Sequence, residues 1–268
     1  LKRNMPSHIP LSTRLRLHQR FERPPARPPR GGIALGAQAV DAWLGGGLER
    51  GALHEVFAGK QADVAAAAGF IALLALRSAG GGAARRQILW VRQDFLDGQT
   101  GQLHPPGLAA LGLDPALIVL VRARDVLGVL RAAAEVAGST GFGAVVVELW
   151  GESPLLDLTA SRRLSLAAEK AGVPVLMLRV AAIPAPSAAA SRWLLAGLPS
   201  RPLAANAPGP PAFAATLLRH RGGAASNTWH LEWNHEQGCF QDRDAPALPR
   251  AVVPLPAERA AVAHARAG

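Results

Sequence analysis

The stretch Ala52–Arg77, ALHEVFAGKQADVAAAAGFIALLALR, decides how the rest of the chain is read. Leu53–Phe57 reads as a buried strand, the next residues as a short turn, and Val64–Arg77 as a helix apolar almost all round. Strand, turn and helix in that order are the layout of a phosphate-binding loop, whose N–H groups cradle a nucleotide at the helix N-terminus. A working loop reads Gly-x-x-x-x-Gly-Lys-Ser/Thr. Gly59 and Lys60 are present, but His54 stands where the first Gly belongs and Gln61 where a hydroxyl would hold Mg²⁺. The turn between Phe57 and Asp63 is too short to wrap a triphosphate. Asp63 is placed as helix N-cap, which puts a carboxylate where a phosphate would sit. The expectation is a fold built around a nucleotide site that has closed, with no cofactor bound.

Outward from this stretch, apolar strands alternate with helices. Gln87–Val91, Leu117–Val121, Ala144–Leu149 and Val173–Val180 are unbroken apolar runs, and helices are expected at Asp125–Ala137 and Thr159–Ala171. That pattern predicts a parallel sheet covered on both faces. After Ala181 the texture changes. Ser191–Ala196, Ala212–Arg221 and Asn227–Asn234 read as strands with no helix between them, and TWHLEWN alternates as a half-exposed antiparallel strand does. Upstream, VDAWLGGGLERG carries three consecutive glycines, a sign of close backbone approach in a loop before the first strand. No internal repeat is visible.

The net charge of +10 is uneven. Residues 1–30 carry Lys2, Arg3, Arg14, Arg16, Arg20, Arg23, Arg27 and Arg30 against Glu22 alone, so about +7 of the net +10 sits there. Within them, Leu11–Phe21 reads as a short helix and PPARPPR (24–30) as an extended linker. Such an arm is a candidate for nucleic acid or an acidic protein surface, and equally for a solvated leader. The division expected is a basic arm at 1–30, a core at 31–244 and a flexible Pro- and Ala-rich tail at 245–268. The single Cys239 excludes an internal disulfide and a cysteine-based zinc site. No apolar run of about 18 residues lacks a charge or breaker, and the N-terminus lacks a signal peptide's apolar core. The expected compartment is therefore the cytoplasm, with nucleoid association an option and no membrane contact.

The order of these pieces resembles the RecA core, of the P-loop NTPase type. VDAWLGGGLERGALHEVFAGK is similar to the recombinase segment that leads through a Gly-rich turn into the nucleotide loop. QILWVRQD is similar to the second strand, which in recombinases ends on a catalytic Glu; that position falls near Gln93 or Asp94. AVVVEL resembles the Walker B strand, with Glu148 at the place of the metal-ordering Asp. VPVLMLRV resembles the strand whose end senses the nucleotide. The resemblance implies a RecA-like, mostly parallel sheet with antiparallel C-terminal strands and a degenerate nucleotide loop. By analogy the eight strands expected above would lie in the order 3-2-4-5-1-6-7-8.

A closer resemblance is to the ImuA family, RecA-like proteins of bacterial damage-induced mutagenesis cassettes. It is carried by LHEVFAG without a working phosphate loop, ILWVRQD, RWLLAGLPSR, LLRHRGG and WHLEWN. Membership would imply a non-catalytic adaptor in SOS-induced, error-prone translesion DNA synthesis. The implied partners are an ImuB-like inactive Y-family polymerase homologue and an error-prone replicative-type polymerase, with RecA a further candidate. Two other classes stay open: a cell-division inhibitor similar to SulA, and a degenerate DNA-dependent ATPase.

The candidate site residues are weighed against plainer roles. Gly59, Lys60 and Glu148 are relics of the nucleotide loop; Lys60 reads rather as an exposed turn lysine and Glu148 as a structural hydrogen-bonding group. A lone carboxylate without a hydroxyl at position 61 makes a weak Mg²⁺ site. The loops that face DNA in RecA correspond to Trp150–Asp157, which holds Glu152 and Asp157, and to Ala181–Ser191, which is uncharged; neither neutralises phosphates. Trp150 is a candidate protein anchor or a core residue closing the sheet edge. Nucleic-acid or partner contacts are assigned to Arg14, Arg16 and Arg20 on the arm and to the Arg219–Arg221 pair. His230 and His235 lack metal-ligand spacing, and Ser153 and Ser165 lack a paired base, so no catalytic residue and no metal site are expected.

Overall fold

The computed structural model describes residues 31–80 and 85–243. The arm with Arg14, Arg16 and Arg20, the helix and linker expected in it, residue 244 and the expected tail at 245–268 lie outside the described residues.

A nine-stranded sheet organises the chain. Along the chain its strands are β3 (Leu53–Ala58), β4 (Gln87–Gln93), β5 (Ile118–Ala123), β6 (Phe142–Trp150) and β7 (Val175–Val180), then β8 (Ser191–Leu198), β9 (Ala212–His220), β10 (Asn227–Asn234) and β11 (Cys239–Asp242). Their order across the sheet is β5-β4-β6-β7-β3-β8-β9-β10-β11. The eight strands expected from sequence thus lie in the expected order. Two features differ. Ser191–Leu198 pairs parallel to Leu53–Ala58, so antiparallel pairing begins one strand later than expected. The connection across β3, residues 181–190, makes this parallel crossover without a helix. An unanticipated strand, β11, also closes the edge against β10. Its sequence, CFQD, offers a single large apolar residue, too little for periodicity to detect.

Before the sheet come β1 (Gly32–Ile33), helix α1 (Gln38–Leu44) and β2 (Leu48–Glu49), with β1 and β2 paired antiparallel. This is the stretch read as a loop. The three glycines explain its compactness: Gly45, Gly46 and Gly47 all have positive φ. A Cβ on Gly47 would lie 2.4 Å from the Ile33 carbonyl oxygen.

Helix α2 (Val64–Ala79) fills one face of the sheet. Short helices α3 (Leu96–Gln99) and α4 (Pro105–Ala110) follow β4, and α5 (Val126–Ala137) and α6 (Leu158–Ala171) cover the opposite face. Asp125 and Asp157 cap α5 and α6, accepting from Gly128 N–H and Ala160 N–H at 2.7 Å each. With the 3-10 turn Gln61–Asp63 before it, α2 is long and apolar enough to cross a membrane by length and composition, which the charge-and-breaker rule did not anticipate. Here its apolar surface is buried on the sheet. Phe70 centres an aromatic cluster, its ring centroid 5.0 Å from that of Phe240, 5.7 Å from Phe213 and 6.5 Å from Trp193. Strands β8 to β11 therefore extend the sheet far enough to wall in a helix with almost no polar side.

At its other end α2 meets β6 at van der Waals distance. A Cβ on Gly143 would stand 2.5 Å from Ala79 Cα, while Ser78 Oγ donates to the Gly143 carbonyl at 2.6 Å. Gly143→Val should force helix and strand apart, at a cost of about 1–3 kcal/mol. Urea unfolding followed by circular dichroism measures it; an unchanged midpoint would show that this contact does not set the helix–sheet spacing.

Candidate functional site

The β3–α2 loop occupies the place of the nucleotide loop, and it is tied down to the sheet. Gly59 N–H donates to the Leu195 carbonyl on β8 at 3.1 Å, and Asp63 N–H to the Lys60 carbonyl at 3.0 Å. Asp63 precedes α2, but its side chain makes no capping bond; the expected capping role is corrected here. Its Oδ1 instead accepts from Gly197 N–H on β8 at 3.1 Å. The intervening 3-10 turn sets the Asp63 backbone in helical conformation, so its carboxylate turns toward β8 and away from the first amides of α2. It stays beside Gly59, where a Cβ would lie 3.2 Å from Oδ2. Lys60 and Gln61 are exposed on this turn. A negative charge and two cross-strand ties therefore stand where a cradle of free N–H groups would be needed.

Beneath the loop, His54 is fully buried. Its Nε2–H donates to the Glu49 carbonyl at 2.8 Å, which leaves Nδ1 to accept from Ser191 Oγ at 2.7 Å. Ser191 Oγ in turn accepts from Trp193 Nε1–H at 2.9 Å. A position that is glycine in a working loop thus carries a side chain locking β2, β3 and β8 together. Burial pushes its pKa down to about 4, so the ring is neutral at pH 7.

The second half of the expected site lies at the carboxyl ends of β4 and β6. Glu148 is buried, and both its oxygens are engaged. Trp90 Nε1–H donates to Oε2 and Arg92 Nη2–H to Oε1, each at 3.1 Å, while Arg92 Nε also approaches Oε2 at 3.1 Å. The Arg92 guanidinium reaches further, to Thr100 Oγ1 at 2.9 Å, to the Gly101 carbonyl at 3.1 Å and to Asp97 Oδ1 at 3.1 Å. Arg122 closes the set on Asp97 Oδ2 at 2.9 Å. Burial pushes the Glu148 carboxyl up, against the downward pull of the Arg92 guanidinium. No oxygen of Glu148 is left facing an open site.

This arrangement does not fit the Mg²⁺ and triphosphate that the fold would ordinarily hold. A metal-ordering carboxylate must present a free oxygen, and here a buried guanidinium takes that place. Among the described residues no group of three or more His, Cys, Asp or Glu is placed to hold a metal. Arg92 is the residue that reading the sequence missed. Its signal was a charge inside the apolar run QILWVRQ of a buried strand, paired in register with Glu148 on β6.

The other expected residues scatter. Gln93 is buried and its Oε1 accepts from Trp150 N–H at 3.0 Å, whereas Asp94 is exposed. Trp150 ends β6, half-buried against the core, with its ring edge-on to Phe95 at 6.5 Å. Phe95, Leu155 and Ile183, which follow β4, β6 and β7, are exposed there. Asp157 is the α6 cap rather than a free acid of the loop. Arg219 and Arg221 lie far from this rim in the chain's pairing, at and just beyond the end of β9, beside the start of β8. His230 lies on β10, and His235 sits in the turn after it, near Gly112. Cys239 opens β11 as a free thiol.

Sheet order, helix placement and the remnant loop define the class: a RecA-like α/β protein. The structure is similar to that of the RadB recombinase, with a TM-score of 0.51 over 78% of this chain and 99% of that one, at 18% identity. The chain belongs to the ImuA family. It is 36% identical over 222 residues to Protein ImuA of Caulobacter vibrioides, in strains NA1000 / CB15N and ATCC 19089 / CIP 103742 / CB 15, covering 77% of this chain and 85% of that relative. No family model matches it.

Two measurements test the geometry. Arg92→Met should cost about 3–5 kcal/mol in urea unfolding by stranding Glu148, and adding Glu148→Leu should recover most of it. A double variant no more stable than Arg92→Met would show that stranding Glu148 is not what the single change costs. His54 takes up a proton near pH 6.5 when unfolded but only near pH 4 when folded. The unfolded state therefore binds more protons in that window, and stability should fall by about 3 kcal/mol as pH drops through it. His54→Gln should flatten that slope; an unchanged slope would mean the folded ring protonates normally.

Proposed function

We propose that this chain is a non-catalytic RecA-like adaptor in SOS-induced, error-prone translesion DNA synthesis, acting in the cytoplasm at the nucleoid. Its partners in this reading are an ImuB-type inactive polymerase homologue and an error-prone replicative-type polymerase, with RecA a third. One observation carries the non-catalytic part: the Arg92 guanidinium engages both oxygens of Glu148, the carboxylate that should order a metal. The tied β3–α2 loop supports it. Membership of the ImuA family supports the pathway.

The rim of the sheet supports the adaptor part. Phe95, Leu155 and Ile183 stand exposed there, with half-buried Trp150 beside them. Apolar side chains at a rim that also carries the acid Glu152 suit a protein partner better than a phosphate backbone. The basic arm, with Arg14, Arg16 and Arg20, is the DNA-facing element of this proposal.

The test combines calorimetry and pull-down. Titration with ATP and Mg²⁺ should give no binding heat, and single-stranded DNA should elicit no hydrolysis. The purified chain should retain an ImuB-type protein, with and without residues 1–30. Tight nucleotide binding, or DNA-stimulated hydrolysis, would overturn the non-catalytic reading, and failure to retain any of the three partners would overturn the adaptor.

A further inference from the structure

On the face of the sheet opposite α2, a cavity of about 330 Å³ opens between α6 and the ends of β8 and β9. Leu158, Arg162, Ser165 and Leu166 on α6 form one wall; residues 187–189, Arg219 and Arg221 form the other. Leu158 and Leu166 are more than half exposed. They lie eight residues apart on one helix face, about 12 Å along the axis, with Arg162 midway between them.

The second wall is built before any ligand arrives. Glu55 accepts from Ser187 Oγ at 2.9 Å and from Arg192 Nε at 2.7 Å, and Ala188 N–H donates to Ser161 Oγ at 3.1 Å. Those bonds pair Arg192 with Glu55 and fix the 187–189 backbone. Its carbonyls then hold the two arginines: Arg219 donates to Ala189 O at 3.1 Å and Arg221 to Ala188 O at 3.2 Å. Arg219 spends one N–H of its five in this way, and Arg221 also donates to Ser165 Oγ on the α6 wall at 3.5 Å, which leaves further N–H groups on both guanidinia. Arg221 also stands 3.8 Å from Glu49, and among the described residues Glu169 is the one acid lining the cavity. Burial, and then the nearby Arg192 and Arg221, push the Arg219 pKa down, against an upward pull from Glu55.

We propose that the α6–β9 groove receives an extended acidic segment of a partner protein, in which a carboxylate meets Arg219 and Arg221 while apolar residues on either side cover Leu158 and Leu166. An extended chain rises about 3.3 Å per residue, so apolar residues four apart span about 13 Å and match the two leucines. The pattern recognised is apolar, x, acid, x, apolar. A nucleic-acid backbone presents phosphates to the same arginines but has nothing to bury against two exposed leucines, and it would meet Glu169. The inference rests on the adaptor reading and places one contact of it on a surface away from the closed nucleotide loop.

The full chain would be titrated, by fluorescence anisotropy, into labelled overlapping peptides that tile an ImuB-type protein. The peptides that bind should carry the acid flanked by apolar residues. Arg219→Glu with Arg221→Glu should weaken them at least about tenfold, and Leu166→Ser severalfold. Arg219→Lys with Arg221→Lys should keep most of the affinity, and thermal melts check that each variant folds. Unlabelled oligo(dT) should not displace them. Binding that survives the charge reversal in a folded variant, that selects peptides without acids, or that oligo(dT) displaces would overturn the groove assignment. If the intact ImuB-type protein binds while no tile enters the groove, this inference fails and the adaptor reading stands. If acidic tiles bind but the intact protein does not, the groove stands and that partnership falls.

Discussion

The burial of α2 is the constraint on which the rest depends. Val64–Ala79 has almost no side that water could solvate, so the chain must surround it. A five-stranded parallel sheet would cover only part of it. The strands β8 to β11 extend the wall, and Phe213, Trp193 and Phe240 on them close around Phe70. The cluster continues through Trp233, 5.1 Å from Phe240. Backbone approach finishes the enclosure where side chains cannot, as at Gly143 against Ala79.

The groups that would hold a nucleotide are engaged within the fold instead. A phosphate loop needs unoccupied N–H groups and a metal-ordering carboxylate with a free oxygen. Here Gly59 N–H and the Asp63 carboxylate are both engaged by β8, and Glu148 is engaged by Arg92 and Trp90. A buried carboxylate is costly unless paired, and the guanidinium meets that need without a cation from solution. His54 completes the change by bonding strands where a working loop bends through glycine. Other exposed side chains lie away from the loop: Phe95, Leu155 and Ile183 on the rim beyond β4, β6 and β7, and Arg221 in the groove beside α6.

Much of this was legible from residue order. Unbroken apolar runs marked the strands and their succession with helices marked the parallel sheet, because burial on both faces demands such runs. The missing glycine and hydroxyl around Gly59 and Lys60 marked the loop as degenerate, because those positions have no substitute in phosphate chemistry. What escaped notice was short or non-local. β1, β2 and β11 have too few residues to show a period, and they exist because they pair with neighbours already in place.

Sequence alone determined the layout, since apolar periodicity is a local property that each segment carries by itself. It also determined that the nucleotide loop lacked its chemical parts. Only the tertiary structure decided what replaced them. Asp63 reads as a helix cap in isolation, yet a 3-10 turn and the nearness of Gly197, far along the chain, turn it to a different donor. Arg92 and Glu148 are separated in sequence by helices α3, α4 and α5 and by strand β5, and become partners only because β4 and β6 lie side by side. Arg219 and Arg221 looked like a basic pair on a strand end; pairing of β8 with β9 and the packing of α6 turned them into one wall of a groove. Pairing energies of this kind depend on distance in space, which register and crossover set and no single stretch of chain contains.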